Sequence, residues 1–414
     1  MNDPSPIVER LAAGLAVPLI GFAGLMRIVL SGIEIPRLGP LLEARAQRDP
    51  RDADALLDLA TMLLLTQVAE HRDIAMATQA RALALRPLYH MPAPKGRPGL
   101  RLLVLMAPGD MSANTPFDCL LEQSDVEVHL LYCAPHLPWP ESLPAHDAVF
   151  VAIGESGHNR STLEGLEQRL REWKKPVYNS PGRIMDLTRD RVSARLAQVA
   201  GVHIPPTVQV DRGGLAHVAQ GDATLASVLA DGAYPVIVRP LGSQGGKGLA
   251  RIDDAAGLQR YLKTADGEEY FLARFVDYSG GDGLFRKYRV VWVAGKPFAC
   301  HMALSTHWMI HYVNADMDAS AAKRAEEDRF MRDFARDFAR RHAPALARIN
   351  RVIGLDYFGI DCGETADGKL LVFEADNALL VHATDAPEIY PYKAAHMRLI
   401  FEAFRAMLGR VAAG

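Results

Sequence analysis

Two stretches of this sequence carry residues whose types and spacing suit chemistry on phosphate. The first runs Tyr234-Pro-Val-Ile-Val-Arg-Pro-Leu-Gly-Ser-Gln-Gly-Gly-Lys-Gly-Leu. An apolar strand ends in a cation, Arg239, and Pro240 stops its ladder. The loop that follows holds Gly242, Gly245, Gly246 and Gly248. Glycine lets backbone amides converge on an anion with no side chain in the way. Ser243 adds a hydroxyl donor and Lys247 adds a charge. By chemistry this is a phosphate cradle. It lacks the GxxxxGK[ST] run into a helix that marks a Walker loop. The plain alternative is a hairpin turn rich in glycine.

The second stretch runs from Tyr357 to Asn377 and reads as a β-hairpin with Asp367-Gly368 at its turn. Asp361 lies on its first strand, and Glu374 and Asp376 end its second. Glu374 and Asp376 are two residues apart, so they point to the same face. Opposite Asp361 they offer three carboxylates on one surface. Such a cluster repels itself unless a cation sits in it. Mg²⁺ fits, because it takes one or two carboxylates and fills its octahedron with water and substrate phosphates.

The elements that must position these groups fall into three zones: 1–95, 100–185 and 186–410. The first reads as all helix. Asp49-Pro-Arg-Asp-Ala-Asp is a helix-start cluster, and two apolar helical runs follow it up to Pro87. The spacing of Ala75, Ala82 and Pro87 is similar to a single tetratricopeptide hairpin, too little for a solenoid. Pro92-Ala-Pro-Lys-Gly-Arg-Pro is a linker by composition. Strands at Leu102, Val126, Ala148 and Pro176 then alternate with helical segments, notably Leu163–Trp173, which implies a small parallel sheet. Gly154 and Gly157 follow a strand but lack the spacing and the acidic residue of a dinucleotide fingerprint. The third zone opens with a helix over Arg191–Ala200. It also carries a charged amphipathic helix from Ala321 to Arg341 with Phe330, Phe334 and Phe338 on one side. The fold class expected is α+β behind an all-α region.

Composition excludes several classes. The chain has 414 residues, a net charge of −3 and no basic excess, so nucleic acid is not expected as a partner. Cys119, Cys133, Cys300 and Cys362 are scattered with no zinc-ligand spacing, and read as reduced thiols of a cytoplasmic protein. Leu11–Met26 is uncharged and apolar, but Pro18 interrupts it and Arg27 ends it. It reads as a buried or interfacial helix pair in preference to a signal peptide or a span. Membrane contact stays open but is not favoured.

Taken in order, these pieces resemble the ATP-grasp superfamily, nearest to the branch of ribosomal-protein glutamate ligases, glutathione synthetase and D-alanine–D-alanine ligase. The resemblance covers roughly residues 100–410. Asn179-Ser-Pro, Asp190-Arg191 and Ala200-Gly-Val-His-Ile-Pro-Pro-Thr resemble the family's entry segment. Pro235-Val-Ile-Val-Arg-Pro is similar to its phosphate-binding strand, and Phe271-Leu-Ala-Arg-Phe-Val to its adenine hinge. Arg289-Val-Val-Trp-Val-Ala-Gly-Lys resembles the strand whose arginine meets the γ-phosphate, and the last hairpin resembles the family's magnesium ligands. Arginines stand where the family has two lysines, at Arg191 and Arg239; they keep the charge but fork and do not deprotonate. Arg274 stands at the hinge glutamate, Lys287 at the acid before Arg289, and Asp376 at an asparagine, with Asn377 next.

The resemblance implies an ATP-grasp fold: a small parallel α/β domain, then two α+β subdomains clamping ATP. It implies a ligase that joins a small-molecule or peptide carboxylate to an amine through an acyl phosphate, with ATP and two Mg²⁺ ions as cofactors. Arg191 and Arg239 would hold ATP phosphates, with Ser243, Gly245, Gly246 and Lys247 closing over them. The backbone of Ala273, Phe275 and Val276 would meet adenine, and Asp277 the ribose. Asp361, Glu374 and Asp376 would bind Mg²⁺, and Arg289 would stabilise the transferred charge. Ser279-Gly-Gly-Asp-Gly is a second lid candidate. Substrate is expected near His301, Ser305, His307, Trp308, His311, Tyr312 and Asn314, with His382 facing the same cleft. A homo-oligomer is expected, and the N-terminal helices could bind a protein partner. A non-catalytic ATP sensor and a kinase of the same fold remain as alternatives.

Overall fold

The structure is a computed structural model that describes residues 5–30, 35–243 and 245–410. Its contacts divide the chain into two compact units. The first comprises Met1–Met185, Leu355–Phe358 and Asn377–Gly414; the second comprises Asp186–Gly354 and Gly359–Asp376.

The first unit begins with helices Ser5–Ala12, Gly21–Leu30, Ile35–Arg48, Ala53–Leu65 and Ala69–Leu85. Among the described residues no helix is long and apolar enough to cross a membrane. The apolar N-terminal stretch splits into short helices. It buries Leu11, Val17, Ile20, Leu25 and Ile28 against Leu38, Leu42 and Met62. Asp52 starts the fourth helix by accepting a hydrogen bond from the Ala55 amide at 2.8 Å. That helix and the next form a hairpin, as the two apolar runs require.

Strands β1 (Leu88–Met91), β2 (Leu100–Met106), β3 (Val126–Tyr132), β4 (Ala148–Val151) and β5 (Val177–Tyr178) form one sheet in the order β1-β3-β2-β4-β5. The strands β2 to β5 are parallel, as expected from the alternation of strand and helix. β1 corrects the expectation of helix up to residue 95. Pro87 ends the helix, and Leu88–Met91 then pairs antiparallel with β3, Leu88 opposite Leu131. Its ladder partner lies about forty residues ahead, which no local pattern announces. Helix Lys393–Gly409 also belongs to this unit, where Phe404 packs edge-on to Phe150 and Tyr357 at 5.3 and 5.4 Å.

The second unit holds two sheets. β7 (Thr207–Asp211), β8 (Val236–Pro240), β9 (Ala250–Ile252) and β10 (Glu269–Arg274) form an antiparallel sheet in the order β7-β10-β8-β9. Val236, Val238, Tyr270 and Leu272 pack on Leu215 and Val218 of helix Arg212–Gln220 and on Leu258 and Leu262 of helix Ala255–Thr264. Each such buried aliphatic side chain contributes about 1.5–3 kcal/mol. Asp211 and Asp254 cap the two helices by accepting from Gly214 and Gly257 amides.

The other sheet runs β12-β11-β13-β14-β6, from β6 (Val202–His203), β11 (Phe285–Val293), β12 (Lys296–Ser305), β13 (Tyr357–Glu364) and β14 (Leu370–Asp376). β11 with β12 and β13 with β14 are antiparallel hairpins, and β6 joins β14 in parallel. The charged helix expected over Ala321–Arg341 is broken. It runs Ala321–Asp333, turns, and resumes at Phe338–Arg341. The Ala339 amide reaches back five residues to the Phe334 carbonyl, widening the helix there. That turn lets Phe338 contact Tyr288, with ring centroids 4.9 Å apart, while keeping Phe330 and Phe334 beside it.

Candidate active site

One face of the β12-β11-β13-β14-β6 sheet carries charge in alternating signs. Lys287 and Arg289 are two residues apart on β11 and share a face. Asp361 on β13 accepts from both: Arg289 forks onto it, Nε to Oδ1 at 2.8 Å and Nη2 to Oδ2 at 3.0 Å, and Lys287 Nζ reaches Oδ2 at 2.9 Å. Glu374 on β14 lies directly opposite Asp361. Arg189 ion-pairs with Glu374 and also donates to the Phe373 carbonyl at 3.3 Å.

Two bulges shape this face. The register slips between Arg289 and Val290 and again between Asp361 and Cys362. A bulge re-aims side chains and resets the in–out alternation. Beyond the slip, Val290 to Val293 are all buried, so a charged half and an apolar half share one strand.

The electrostatics follow from burial and neighbours. Burial alone would push the Asp361 carboxyl up, but Arg289 and Lys287 outweigh it and hold it well below the usual carboxylate range. Burial likewise opposes ionisation of Glu374, and Arg189 reverses that, leaving it lowered. Arg239 ends β8 on the other sheet and is pushed down to about 10. Burial is the main cause, Arg189 adds repulsion, and Glu374 and Asp376 oppose both. Arg239 and the acids therefore act on one another within one site. Sequence reading expected the acids to need a foreign cation, but the protein's own Arg189, Lys287 and Arg289 neutralise two of them. Four cations and three acids leave a net positive surface suited to a polyanion.

Arg239 is folded onto the glycine loop. Its Nε donates to Ser243 Oγ at 3.1 Å and its Nη2 to the Ser243 carbonyl at 2.6 Å. Gly242, Gly245, Gly246 and Gly248 all have φ between 60° and 75°. At Gly246 a Cβ would also come within 2.5 Å of His311 Nε2, so any larger residue would have to push that imidazole aside. Gly245 and Lys247 are exposed.

The other expected residues divide. His311 lies close enough to Lys287, Glu374, Asp361 and Arg239 to feel them; burial first, then Lys287, lowers its pKa. Asn314 is engaged in local structure, its Oδ1 accepting the His311 amide at 2.9 Å. Trp308 packs edge-on to Phe275 at 5.7 Å, and its carbonyl accepts from Tyr278 OH. Arg251 covers the same Phe275 ring at 4.3 Å. This ties the Trp308 loop to the Ala273–Asp277 segment. Val276 is half-buried, while Asp277 is exposed and accepts from the Ser279 amide at 2.9 Å. His307 is exposed.

The remaining residues fall as follows. Helix Arg189–Leu196 begins two residues earlier than expected. Arg189 on its first turn reaches the acids, whereas Arg191 pairs with Asp186 at 3.2 Å and is 44% exposed. Residues two apart on a helix point roughly 200° apart, so Arg189 and Arg191 leave the helix on different sides. Asn377 belongs to the first unit, fully buried, donating to the Ile153 carbonyl at 2.9 Å. His382 also belongs to the first unit, with Nδ1 2.7 Å from Thr384 Oγ1. Asn179 is structural: it exchanges two hydrogen bonds with the Tyr357 backbone at 2.8 and 2.9 Å, as a strand neighbour would.

Sequence reading missed Arg189 and did not see Lys287 as a counter-ion. The signal for Lys287 was its two-residue spacing from Arg289. Carboxylate oxygens are hard donors, so Asp361, Glu374 and Asp376 fit a divalent cation such as Mg²⁺ by chemistry. Beside Arg189, Thr188 Oγ1 and Asp190 Oδ1 are buried without a hydrogen-bond partner among the described residues, which fits a polar ligand nearby. A cavity in the first unit, walled by Leu57, Met91, Met106, Phe117 and Leu130, has no lysine, arginine or histidine in its lining and does not suit a polyanion.

No family model matches the chain. Among solved structures, it is similar to the VanG D-Ala:D-Ser ligase from Enterococcus faecalis, at 12% identity over 75% of this chain and 99% of that one, with a TM-score of 0.47. It is also similar to a RimK domain ATP-grasp protein from Sphaerobacter thermophilus, at 16% identity over 75% of this chain and 99% of that one, with a TM-score of 0.41.

Proposed function

We propose that this chain is an ATP-dependent carboxylate–amine ligase, working at the charged face of its second unit. The observation that carries the reading is the interleaving of Lys287, Arg289, Asp361, Glu374 and Arg189, with Arg239, at the root of the glycine loop, acting on Glu374 and Asp376. A net positive, partly buried surface beside a glycine loop suits a triphosphate, and the order of motifs along the chain agrees.

In this reading Arg239 and Arg189 bind phosphate oxygens, and Ser243 and the loop amides cover them. Mg²⁺, held by Glu374 and Asp376 with Asp361 beside them, would withdraw charge from the phosphoryl oxygens. The substrate carboxylate attacks the γ-phosphorus in line and ADP leaves. Arg289 then stabilises the charge that moves onto the acyl phosphate. The amine attacks the acyl carbon and phosphate departs. Orienting both partners supplies roughly 7–11 kcal/mol of the acceleration. His311, against Gly246, lies where the loop would shut water out of the site.

The test is incubation with ATP, Mg²⁺ and pools of amino acids and peptides, reading ADP and free phosphate. A ligase releases both only when carboxylate and amine are present. A phosphorylated product with no free phosphate would mark a kinase, and tight ATP binding without turnover a sensor. Glu374→Gln is expected to abolish Mg²⁺-dependent turnover while keeping the fold by circular dichroism. Full activity in that variant would refute the metal assignment.

A further inference from the structure

We propose that His90, Glu127 and His129 form a binding site for one divalent transition-metal ion, Zn²⁺ foremost, at the edge of the first unit's sheet. β1 and β3 are antiparallel neighbours, and His90 stands directly opposite His129. Glu127 is two residues from His129 on β3 and so shares its face. One ligand atom from each of the three lies within 4.8 Å of the others. The imidazole rings are 5.1 Å apart, and His90 Nε2 is 2.9 Å from Glu127 Oε1.

Two imidazoles and one carboxylate select Zn²⁺, Cu²⁺ or Ni²⁺ over Mg²⁺ and Ca²⁺, which prefer oxygen donors. Around a tetrahedral ion with bonds near 2.1 Å the ligand atoms are about 3.4 Å apart, so small side-chain rotations would close the set. His90 is exposed, so the ion would keep an open side for water or a small ligand. Arg101 on β2 stands opposite Glu127. Its guanidinium is engaged by Asp147 at 2.9 Å. The ion would clip β1, an edge strand of four residues, onto the sheet. A surface His–Glu ion pair uses only two of the three groups, and it gives no role to the second histidine lying opposite the first.

The site shares no residue with the charged face of the second unit, so it stands or falls separately from the ligase reading. The full chain, free of any histidine tag, is titrated with Zn²⁺ by calorimetry in excess Mg²⁺, and with Co²⁺ by visible absorption. The expected result is one Zn²⁺ per chain, a visible Co²⁺ band, and a melting temperature that rises with Zn²⁺. His90→Ala, His129→Ala and the milder Glu127→Gln should each weaken binding at least about tenfold and lose the Co²⁺ band. Glu374→Gln should bind Zn²⁺ like the parent. No Zn²⁺ uptake by the parent, or unchanged uptake by all three folded variants, overturns the proposal.

Discussion

Each unit of this molecule buries carboxylates, and the two units treat them in opposite ways. In the first, Asp58 is fully buried and accepts hydrogen bonds from the Ile20 and Gly21 amides at 3.0–3.1 Å, and Asp118 accepts from the Ala23 amide at 2.8 Å. Both sit at the start of helix Gly21–Leu30. Burial pushes Asp58 up to about 7 and Asp118 up to about 6; the amides, and for Asp58 also Arg45 at 3.7 Å, only partly counter it. In the second unit, burial tries to do the same to Asp361 and Glu374, and side-chain cations win. A buried acid held mainly by backbone donors is a cap that titrates near neutrality. A buried acid among cations stays ionised and can exchange those cations for a ligand.

The sharpest way to break this contrast is Asp361→Asn. It removes the carboxylate that both Lys287 and Arg289 engage, where their side chains are only 12% and 15% exposed. Loss of one partner of such a buried pair costs about 3–5 kcal/mol. Urea unfolding at neutral pH should show that loss. It should also show much of it recovered when Arg289→Met is added, since the stranded charge is then removed.

Asp58→Ala should cost less, about 1–3 kcal/mol, because the Ile20 and Gly21 amides lose their acceptor while Arg45, 3.7 Å from Asp58, keeps Asp52 as a partner. The pH dependence separates the two acids further. The folded chain holds a proton on Asp58 more tightly than the unfolded chain does. Stability from that group is therefore present below about pH 4 and lost as pH rises to about 7. Asp58→Asn should remove this slope from the stability–pH curve. Asp361 has the opposite sign: its contribution is present above about pH 4 and is lost in acid as the folded carboxyl is protonated.

Gly246→Ala should cost about 1 kcal/mol from the positive φ alone, and more from the contact with His311. His311→Ala in that background should relieve the steric part and leave the backbone part, as unfolding midpoints would show. Arg191→Ala is the smallest change. An exposed pair with Asp186 is worth at most about 1 kcal/mol, and ATP affinity should hardly move, whereas Arg189→Ala should weaken it clearly.

Much of the second unit was legible because its signals are local. Asp367-Gly368 announced the hairpin that sets Asp361 against Glu374, and the Val-Ile-Val run before Arg239 announced β8. What was not legible depended on rotation or on distant partners. Arg189 and Arg191 flank one acid in sequence, and only the true start of the helix decides which faces the sheet. Lys287 becomes a counter-ion only when β11 and β13 are neighbours. The two bulges that separate charged from apolar halves leave no trace in composition. β1 needed β3 to exist, and the break near Phe334 needed the aromatic cluster around Tyr288.

Calorimetry of ATP binding in Mg²⁺ bears most directly on the claim that the charged face of the second unit holds a triphosphate. Charge-assisted hydrogen bonds are worth about 1.5–3 kcal/mol each. The Arg189→Ala/Arg239→Ala double variant should therefore bind ATP at least about a hundredfold more weakly than the parent, with its fold intact by circular dichroism. Equal affinity in the parent and the double variant would contradict the assignment.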